Sequence, residues 1–194
     1  MMSNETHFYV VELTQGTREW LEWRNEGIGA SDASTVMGEN RFKSAAALLR
    51  EKLEPARDSF QNEAMALGTQ LEPEARGRYI AKTGRDVDPV CVRSVRFDWL
   101  RASLDGLTTN HDAVVEIKCG ASVYRRTSET GAVPGYYYGQ LQHILAVTGL
   151  DMIDFWCYWP GHPELLLTIE RDDAYIERLL ETEQLFWDRV LQGS

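Results

Sequence analysis

Apolar residues recur along the chain with two spacings, one helical and one extended. Near the C-terminus Tyr175, Leu179, Phe186 and Val190 lie on one stripe of a helix, and Asp172 precedes them as the expected N-cap. Helical spacing and capping signals predict helices over residues 17–24, 31–38, 45–53, 64–82, 136–148 and 172–191. Short apolar or alternating runs predict strands over residues 87–95, 100–104, 114–119, 155–158 and 165–169.

Two of the predicted helices contain residues that affect where a helix begins or breaks. Ser31 is the expected N-cap of the helix over residues 31–38. Pro73 lies inside the stretch 64–82, and proline is tolerated in the first turn of a helix but normally breaks its interior. That stretch is therefore open to interpretation as two helices that meet near Leu71.

Helices precede the predicted strands, and further helices follow them. This order predicts an α/β fold, with a central mixed sheet flanked by helices in a single domain over residues 1–194. No Pro-, Gly- or Ser-rich linker divides the chain, and its length suits one domain. Residues 151–194 are expected to complete the sheet and to add the last helix.

Composition argues against several classes of protein. No apolar run reaches the roughly 18–20 residues that cross a bilayer, and the N-terminus lacks the basic-then-apolar pattern of a secretory signal. The cysteines, Cys91, Cys119 and Cys157, are far apart and odd in number. Reduced thiols in the cytoplasm are therefore expected, rather than a disulfide framework, a zinc site or an iron–sulfur cluster.

The net charge of −10 is unusual for a protein that handles nucleic acid. The excess is concentrated in residues 151–194, which carry 10 Asp and Glu against 3 Lys and Arg, whereas residues 1–150 carry 20 against 17. Basic residues also cluster locally, for example at Arg93, Arg96 and Arg101. A basic path through a largely acidic protein is therefore compatible with the charge.

The strongest candidate for chemistry is Asp105, followed by Glu116-Ile117-Lys118. Side chains alternate across a strand, so Glu116 and Lys118 should share one face, opposite their apolar neighbours. If Asp105 lies at the end of a neighbouring strand, its carboxylate can meet that of Glu116 around one Mg²⁺, which prefers oxygen ligands. Lys118 could then orient a water or stabilise charge on a phosphate. The alternative is an ordinary buried strand that ends in solvated charges.

Three further positions could belong to such a site. Glu72 would be a third acid if the helix around it bends inward, and otherwise it is a solvated helix residue. Arg24 and Ser31 bracket a loop with two glycines that runs into a predicted helix N-terminus, where free N–H groups attract anions. Their guanidinium and hydroxyl could bind a terminal phosphate, although Ser31 could simply cap its helix.

A run of three tyrosines, Tyr136, Tyr137 and Tyr138, precedes Gln140 at the start of the helix over residues 136–148. Consecutive helical residues cannot all face one core, so at least one of these tyrosines should be exposed. Tyrosine and glutamine suit contacts with a nucleic-acid backbone and bases. A tyrosine-rich core helix is an equally open interpretation.

Taken in order, five short motifs resemble those of the YqaJ-type viral recombinase family, which includes the phage lambda exonuclease and lies within the PD-(D/E)XK nuclease superfamily. They are Arg24…Ile28-Gly29-Ala30-Ser31, Gly68…Leu71-Glu72…Ala75, Ser103-Leu104-Asp105-Gly106, Glu116-Ile117-Lys118-Cys119 and Tyr137…Gln140-Leu141-Gln142. The resemblance spans roughly residues 18–150. Leu104 replaces the proline of the superfamily's name, a residue that shapes the backbone and supplies no ligand.

The resemblance implies a Mg²⁺-dependent exonuclease, with Mn²⁺ able to substitute. Such an enzyme degrades one strand of linear double-stranded DNA from its 5′ end to 5′-mononucleotides. The resulting 3′ overhangs would serve recombination by single-strand annealing. The resemblance also implies a ring-shaped homotrimer around DNA and a partner protein that anneals the exposed strand.

The same resemblance assigns roles to particular residues. The expected catalytic residues are Glu72, Asp105, Glu116 and Lys118. The expected metal ligands are Asp105, Glu116, the carbonyl of Ile117 and Glu72, the last directly or through water. The expected DNA-binding residues, the first two on the 5′-phosphate, are Arg24, Ser31, Tyr137 and Gln140. Lys118 would position or activate the attacking water.

Other functions stay open at this point. One is a site-specific or structure-specific DNA endonuclease of the same superfamily, and another is a non-catalytic DNA-end-binding module. The presence of every expected acid and of Lys118 favours a catalyst. Without the ordered motifs, an α/β domain with coincidental matches would be the default.

Overall fold

A seven-stranded mixed sheet forms the centre of the protein in its computed structural model. The structure describes residues 6–56 and 63–193, so residues 1–5, 57–62 and 194 of the predicted domain lie outside the described residues. The strands are β1 (Phe8–Val11), β2 (Ile28–Gly29), β3 (Val87–Ser94), β4 (Leu100–Thr108), β5 (Val114–Cys119), β6 (Met152–Tyr158) and β7 (Leu165–Glu170). The α-helices are α1 (Arg18–Asn25), α2 (Ala33–Val36), α3 (Ala45–Leu53), α4 (Glu63–Thr83), α5 (Ala121–Thr130), α6 (Tyr138–Thr148) and α7 (Asp173–Gln192).

The sheet is mostly antiparallel. Its strand order is β1-β3-β4-β5-β6-β7, and β2 pairs beside this path with the start of β4. The β5–β6 pair and the short β2–β4 pair are parallel, and the other pairs are antiparallel. A parallel pair needs a long crossover, and α5 and α6 supply it between β5 and β6. The predicted α/β fold with a central mixed sheet is therefore confirmed.

Helices cover both faces of the sheet. On one face α4 packs Ala75 and Tyr79 against alternate residues of the central strands, including Val115 and Ile117. On the other face the main core combines residues of α3, α5, α6 and α7 with the opposite alternation of the strands, as at Phe155. Within the described part of the chain, no helix has the length and apolar character needed to cross a bilayer.

Most predicted helices are present with small shifts at their ends. The helix over Ala45–Leu53 matches its prediction, and Asp172 caps α7 by accepting from Tyr175 N. The prediction for residues 31–38 was wrong in detail. A 3-10 turn over Ala30–Asp32 leads into the four-residue α2, so Ser31 lies inside the turn and caps no helix.

The alternative of two helices meeting near Leu71 was also wrong, because α4 continues through Pro73 as one helix. Proline in a helix interior removes a hydrogen bond at a cost of about 3 kcal/mol. Here the burial of Ala75 and Tyr79 against the sheet holds the helix in place. Long-range packing has thus overridden a local preference.

The sequence patterns missed β1, β2 and α5 and placed the end of β4 too early. Strand β1 is a four-residue edge strand whose pairing with β3 is specified by tertiary contact. Helix α5 is mostly polar and buries only Val123, Tyr124 and Thr127, so its apolar stripe is too narrow to recognise.

Candidate active site

Strands β4 and β5 separate next to Asp105. Their pairing stops at Gly106 opposite Val115, so Asp105 lies within β4 at the point where the ladder opens, rather than at a strand end. If the ladder continued, the Ile117 N–H would bind the Leu104 carbonyl. Instead Ile117 N donates to Asp105 Oδ2 over 2.8 Å, and the Gln15 side-chain amide donates to the Leu104 carbonyl over 2.9 Å.

Glu116 and Lys118 extend from the face of β5 opposite α4, as alternation predicted. The Glu116 side chain is only 2% exposed, and its Oε1 accepts from Gln140 Nε2 over 2.6 Å and forms an ion pair with Lys118. Its other oxygen, Oε2, is buried and has no hydrogen-bond partner. A buried carboxylate oxygen without a donor is costly, which indicates that this atom serves a ligand.

The electrostatics of this site are those of acids crowded around one ammonium group. Burial and the nearby Glu116 carboxylate raise the pKa of Asp105 well above its usual value. Burial lowers the pKa of Lys118, but the carboxylates of Glu116 and Asp105 outweigh it and raise the pKa above the usual lysine value. Lys118 is therefore an ammonium at neutral pH. The raised pKa of Asp105 means that a second negative charge beside Glu116 is unfavourable unless a further cation joins the site.

Glu72 lies at the edge of this cluster. Burial raises its pKa, and the charge of Glu116 adds to the rise, while Arg76 opposes it. The Glu72 carboxylate forms an ion pair with Arg76 one helical turn later. Glu72 was expected to point inward, and it does so only in part. It is close enough to the site for its charge to interact with Glu116, but its carboxylate contacts Arg76.

The donor set fits a hard cation. Carboxylate and backbone carbonyl oxygens suit Mg²⁺, and the unpartnered Glu116 Oε2 beside the charge of Asp105 is the observation that favours such an ion. Among the described residues, no three His, Cys, Asp or Glu side chains are already arranged around one metal position. Two acids therefore form the core of the site, and direct ligation by Glu72 stays a prediction.

Arg24 and Ser31 contact each other as the anion-site prediction required. Arg24 Nη2 donates to Ser31 Oγ over 2.8 Å, and the guanidinium lies 4.7 Å from the ring centroid of Trp20. The Ser31 hydroxyl is on an exposed residue, so an anion can reach it. The helix that was predicted to begin here is much shorter than expected, however. The Asp32 carboxylate at its start is paired with Lys52 at 3.0 Å. The side chains rather than a helix dipole are left to hold an anion.

Trp20 links this pair to the acid site. Its indole N–H donates to Ser103 Oγ over 2.8 Å, and Ser103 lies two residues before Asp105 on β4. Through Trp20 and Ser103, Arg24 is therefore held beside the strand that carries Asp105.

The tyrosine run lies beside Lys118. The Tyr137 ring centroid is 4.8 Å from the Lys118 ammonium nitrogen, and Tyr137 also contacts the ring of Phe155. All three tyrosines are half-buried, so the expectation that one would be exposed was wrong. They avoid exposure because Tyr136 contacts Tyr137, whereas Tyr138 packs against Tyr175 on α7.

Three residues at the site were not singled out from the sequence: Gln15, Trp20 and Arg76. Arg76 could have been found, since its position four residues after Glu72 is the spacing of a helical ion pair. Trp20 lies within the helix predicted over residues 17–24, and its N–H contact with Ser103 depends on the tertiary fold. Gln15 carries no local signal, because its partner Leu104 is 89 positions away.

The fold and the site together define an α/β protein with a buried acid–lysine centre. The chain belongs to the YqaJ-like viral recombinase domain family, whose family model matches residues 19–151. It is 31% identical over 183 residues to the uncharacterized protein YqaJ of Bacillus subtilis (strain 168), an alignment that covers 91% of this chain. The chain spans only 57% of the length of that relative.

A solved structure of related sequence is that of the alkaline exonuclease LHK-Exo from Laribacter hongkongensis. Its TM-score is 0.81 at 30% identity, with 91% of this chain and 93% of that chain covered. The structure of LHK-Exo in complex with dAMP matches with a TM-score of 0.79 at 32% identity and the same coverage of both chains. These similarities extend over both the sheet and the helices that hold the site.

Proposed function

We propose that this protein is a Mg²⁺-dependent exonuclease that degrades one strand of linear double-stranded DNA in the 5′-to-3′ direction. Its products would be 5′-mononucleotides and duplexes with 3′ single-stranded overhangs. The observation that carries the proposal is the buried Glu116 carboxylate, with one oxygen bound by Lys118 and Gln140 and the other without a donor, next to Asp105.

The relatives support this choice among the nucleases. The similar protein LHK-Exo is described as an alkaline exonuclease, and one of its structures contains dAMP, a deoxynucleoside monophosphate. In 5′-to-3′ degradation, cleavage of the bond between the scissile phosphorus and the 3′ oxygen of the terminal nucleotide releases that nucleotide with its own 5′-phosphate, and the scissile phosphate becomes the new 5′ end of the strand. The family name, a viral recombinase domain, agrees with a role in preparing DNA ends.

Asp105, Glu116, the Ile117 carbonyl and Glu72, the last directly or through water, are the groups proposed to hold Mg²⁺, with Mn²⁺ able to substitute. When bound, the metal would neutralise charge on the scissile phosphate and acidify a water. Gln140 holds one oxygen of Glu116 by its 2.6 Å hydrogen bond, and the other oxygen, which has no partner, would be available to the ion.

Lys118 would orient the attacking water and stabilise negative charge on the phosphate. Its pKa is raised above the usual lysine value by Glu116 and Asp105, against the effect of burial, so it holds its proton and acts as a hydrogen-bond donor. The Tyr137 ring beside it limits its movement and offers a surface for the terminal nucleotide. Water would attack the scissile phosphorus in line with the 3′ oxygen of the terminal nucleotide. The bond between phosphorus and that oxygen would break, and the oxygen would leave as a hydroxyl after taking a proton from solvent.

Arg24 and Ser31 would bind the 5′-phosphate of the strand being degraded. Arg24 is stacked on Trp20, which in turn is bonded to Ser103 of the strand that carries Asp105. This chain of contacts would hold the terminal phosphate at a fixed distance from the acid pair. A fixed distance is what makes a nuclease remove one nucleotide at a time from an end.

A ring-shaped homotrimer and a single-strand-annealing partner are proposed from the family resemblance alone. The trimer would explain how an acidic chain encloses DNA, because only the inner wall needs positive charge. Sedimentation analysis of the purified protein should then give three times the mass of the chain. A monomer at working concentration would contradict this part of the proposal.

The central experiment uses linear duplexes that carry a label at either the 5′ or the 3′ end of one strand. With Mg²⁺, the 5′ label should be released at once as a mononucleotide, while the 3′ label should persist on a shortening strand. EDTA should abolish release. Covalently closed circular DNA should stay intact, and its cleavage would instead identify an endonuclease.

A matched pair of variants separates catalysis from binding in the same assay. Glu116→Gln should release no nucleotide yet still bind the duplex end, because the fold and Arg24 are retained. Glu129→Gln, at an exposed position of α5, should behave as the wild type. A protein that binds ends but never releases nucleotide with any divalent ion would be an end-binding module.

A further inference from the structure

Arg76, on helix α4, contacts two acidic residues of the site. Its side chain is 15% exposed, and its Nη2 forms an ion pair with the Glu72 carboxylate. Its Nε donates over 2.7 Å to the backbone carbonyl of Asp105. One guanidinium therefore bridges Glu72 on the helix and the backbone of Asp105, the principal acid, on the strand.

The Asp105 carbonyl lacks a normal partner on its other neighbouring strand. Strand β4 carries a bulge at this point, because its two residues Asp105 and Gly106 lie opposite the single residue Pro89 of β3. Proline has no N–H to donate. The Arg76 Nε–H supplies the hydrogen bond that β3 does not give.

Asp105 is thus fixed from both sides by irregular contacts. On the β5 side its carboxylate replaces a backbone acceptor for Ile117 N, and on the β3 side Arg76 replaces a backbone donor. The planar guanidinium can make both of its contacts at once because its donors are held in a rigid fork. A lysine at the same position carries the charge but has no such fork.

We propose that Arg76 is a positioning residue that sets the affinity of the acid site for its divalent cation. It does so by holding the backbone of Asp105 and the carboxylate of Glu72 in one fixed relation. The inference rests on the proposed metal-dependent function, which it deepens. In this proposal Arg76 acts through Asp105 and Glu72 and not by contact with the cation or the DNA.

The test compares the wild type with Arg76→Lys and with the control Arg78→Lys. Arg78 lies on the same helix, but it is half exposed and pairs with Glu74 and Glu164, away from the acid site. Mn²⁺ binding is measured directly from the loss of the free-ion electron paramagnetic resonance signal. The Mg²⁺ concentration for half-maximal nucleotide release and the melting temperature are recorded on the same samples.

Arg76→Lys should bind Mn²⁺ about 10–100-fold more weakly, the usual cost of losing a residue that orients ligands. Its requirement for Mg²⁺ should rise by a similar factor, and saturating Mg²⁺ should restore much of the turnover. Arg78→Lys should match the wild type. If Arg76→Lys fails to melt cooperatively, Arg76→Gln, which keeps an uncharged NH₂ donor group, takes its place with the same expected loss of affinity.

Two failures can be told apart. If the wild type binds Mn²⁺ and releases nucleotide while the Arg76 variant binds Mn²⁺ equally well, this inference is overturned and the proposed function stands. If the wild type neither binds Mn²⁺ nor releases nucleotide, the proposed function is lost, and the inference with it. A loss of turnover that saturating Mg²⁺ does not repair, with unchanged Mn²⁺ affinity, also overturns the inference.

Discussion

Replacing Asp105 with asparagine should abolish nuclease activity and at the same time stabilise the metal-free protein. The Asp105 carboxylate is desolvated and lies near Glu116, and burial first, then the Glu116 charge, raises its pKa. In the absence of a cation the ionised carboxylate therefore works against folding. Asparagine has nearly the same shape without the charge, and its side-chain oxygen can still accept from Ile117 N.

The size of the gain follows from two opposing effects. The Asp105 carboxylate accepts from Ile117 N, so the cost of its ionised form comes from burial and from the like charge of Glu116, and the desolvation of such a group costs about 1–3 kcal/mol or more. Against this, the variant loses the attraction between Asp105 and the Lys118 ammonium. We expect a net stabilisation of about 1–2 kcal/mol, which for a domain of this size raises the melting temperature by roughly 2–8 °C.

The pH dependence has a definite sign. The pKa of Asp105 is higher in the folded than in the unfolded protein, so the folded state holds its proton to higher pH. The penalty is fully present above the folded-state pKa and vanishes as pH falls below the unfolded-state pKa near 4. The advantage of Asp105→Asn should therefore be greatest at alkaline pH and disappear in acid.

The assay is thermal unfolding in EDTA from acid to alkaline pH, followed by circular dichroism. Asp151→Asn, at an exposed position before β6, serves as the control and should not change the melting temperature. Addition of Mg²⁺ should raise the melting temperature of the wild type and leave that of Asp105→Asn unchanged. The reasoning is refuted if Asp105→Asn melts below the wild type at alkaline pH in EDTA, or if the difference does not shrink in acid.

Three further predictions concern other parts of the structure. Lys118→Met should lower nucleotide release by about 10²–10³-fold while duplex binding, measured by fluorescence anisotropy, persists; near-normal turnover would contradict its role. Arg24→Ala should reduce the preference for 5′-phosphorylated over 5′-hydroxyl ends by roughly tenfold or more, whereas Arg18→Ala on the same helix should keep the preference. Burial lowers the pKa of His143, but its 2.7 Å contact with Glu183 outweighs this and raises the pKa. The stability that His143 adds over His143→Gln should thus be fully present below about pH 6.5 and fall as pH rises through the folded-state pKa, as urea titrations would show.

The chemistry of strand β5 could be predicted from the sequence. Alternation alone places Glu116 and Lys118 on one face and their apolar neighbours on the other, and the structure agrees, with Ile117 packed against α4. Arg24 and Ser31 were predicted to belong to one anion site, and the structure places them together, joined by a 2.8 Å hydrogen bond. In both cases the partners are close in sequence, where local geometry fixes their relation.

The predictions that failed depended on contacts between distant segments. The N-cap assigned to Ser31 was wrong because a 3-10 turn begins one residue earlier, where β2 pairs with β4. The break near Leu71, which was left open as an alternative, is absent because packing of α4 on the sheet keeps the helix continuous. Neither the pairing of β2 with β4 nor the packing of α4 on the sheet can be predicted from the local pattern of apolar and polar residues.

By itself, the sequence determined which residue types are available and which face of a helix or strand each occupies. Periodicity reports this because neighbouring side chains are related by the fixed geometry of the backbone. Only the tertiary structure decided that the β4–β5 ladder opens at Asp105 and that Gln15 and Arg76 occupy the backbone groups left free there. Strand register and bulges bring together residues 29 to 89 positions apart, and such contacts follow from the packing of the whole chain.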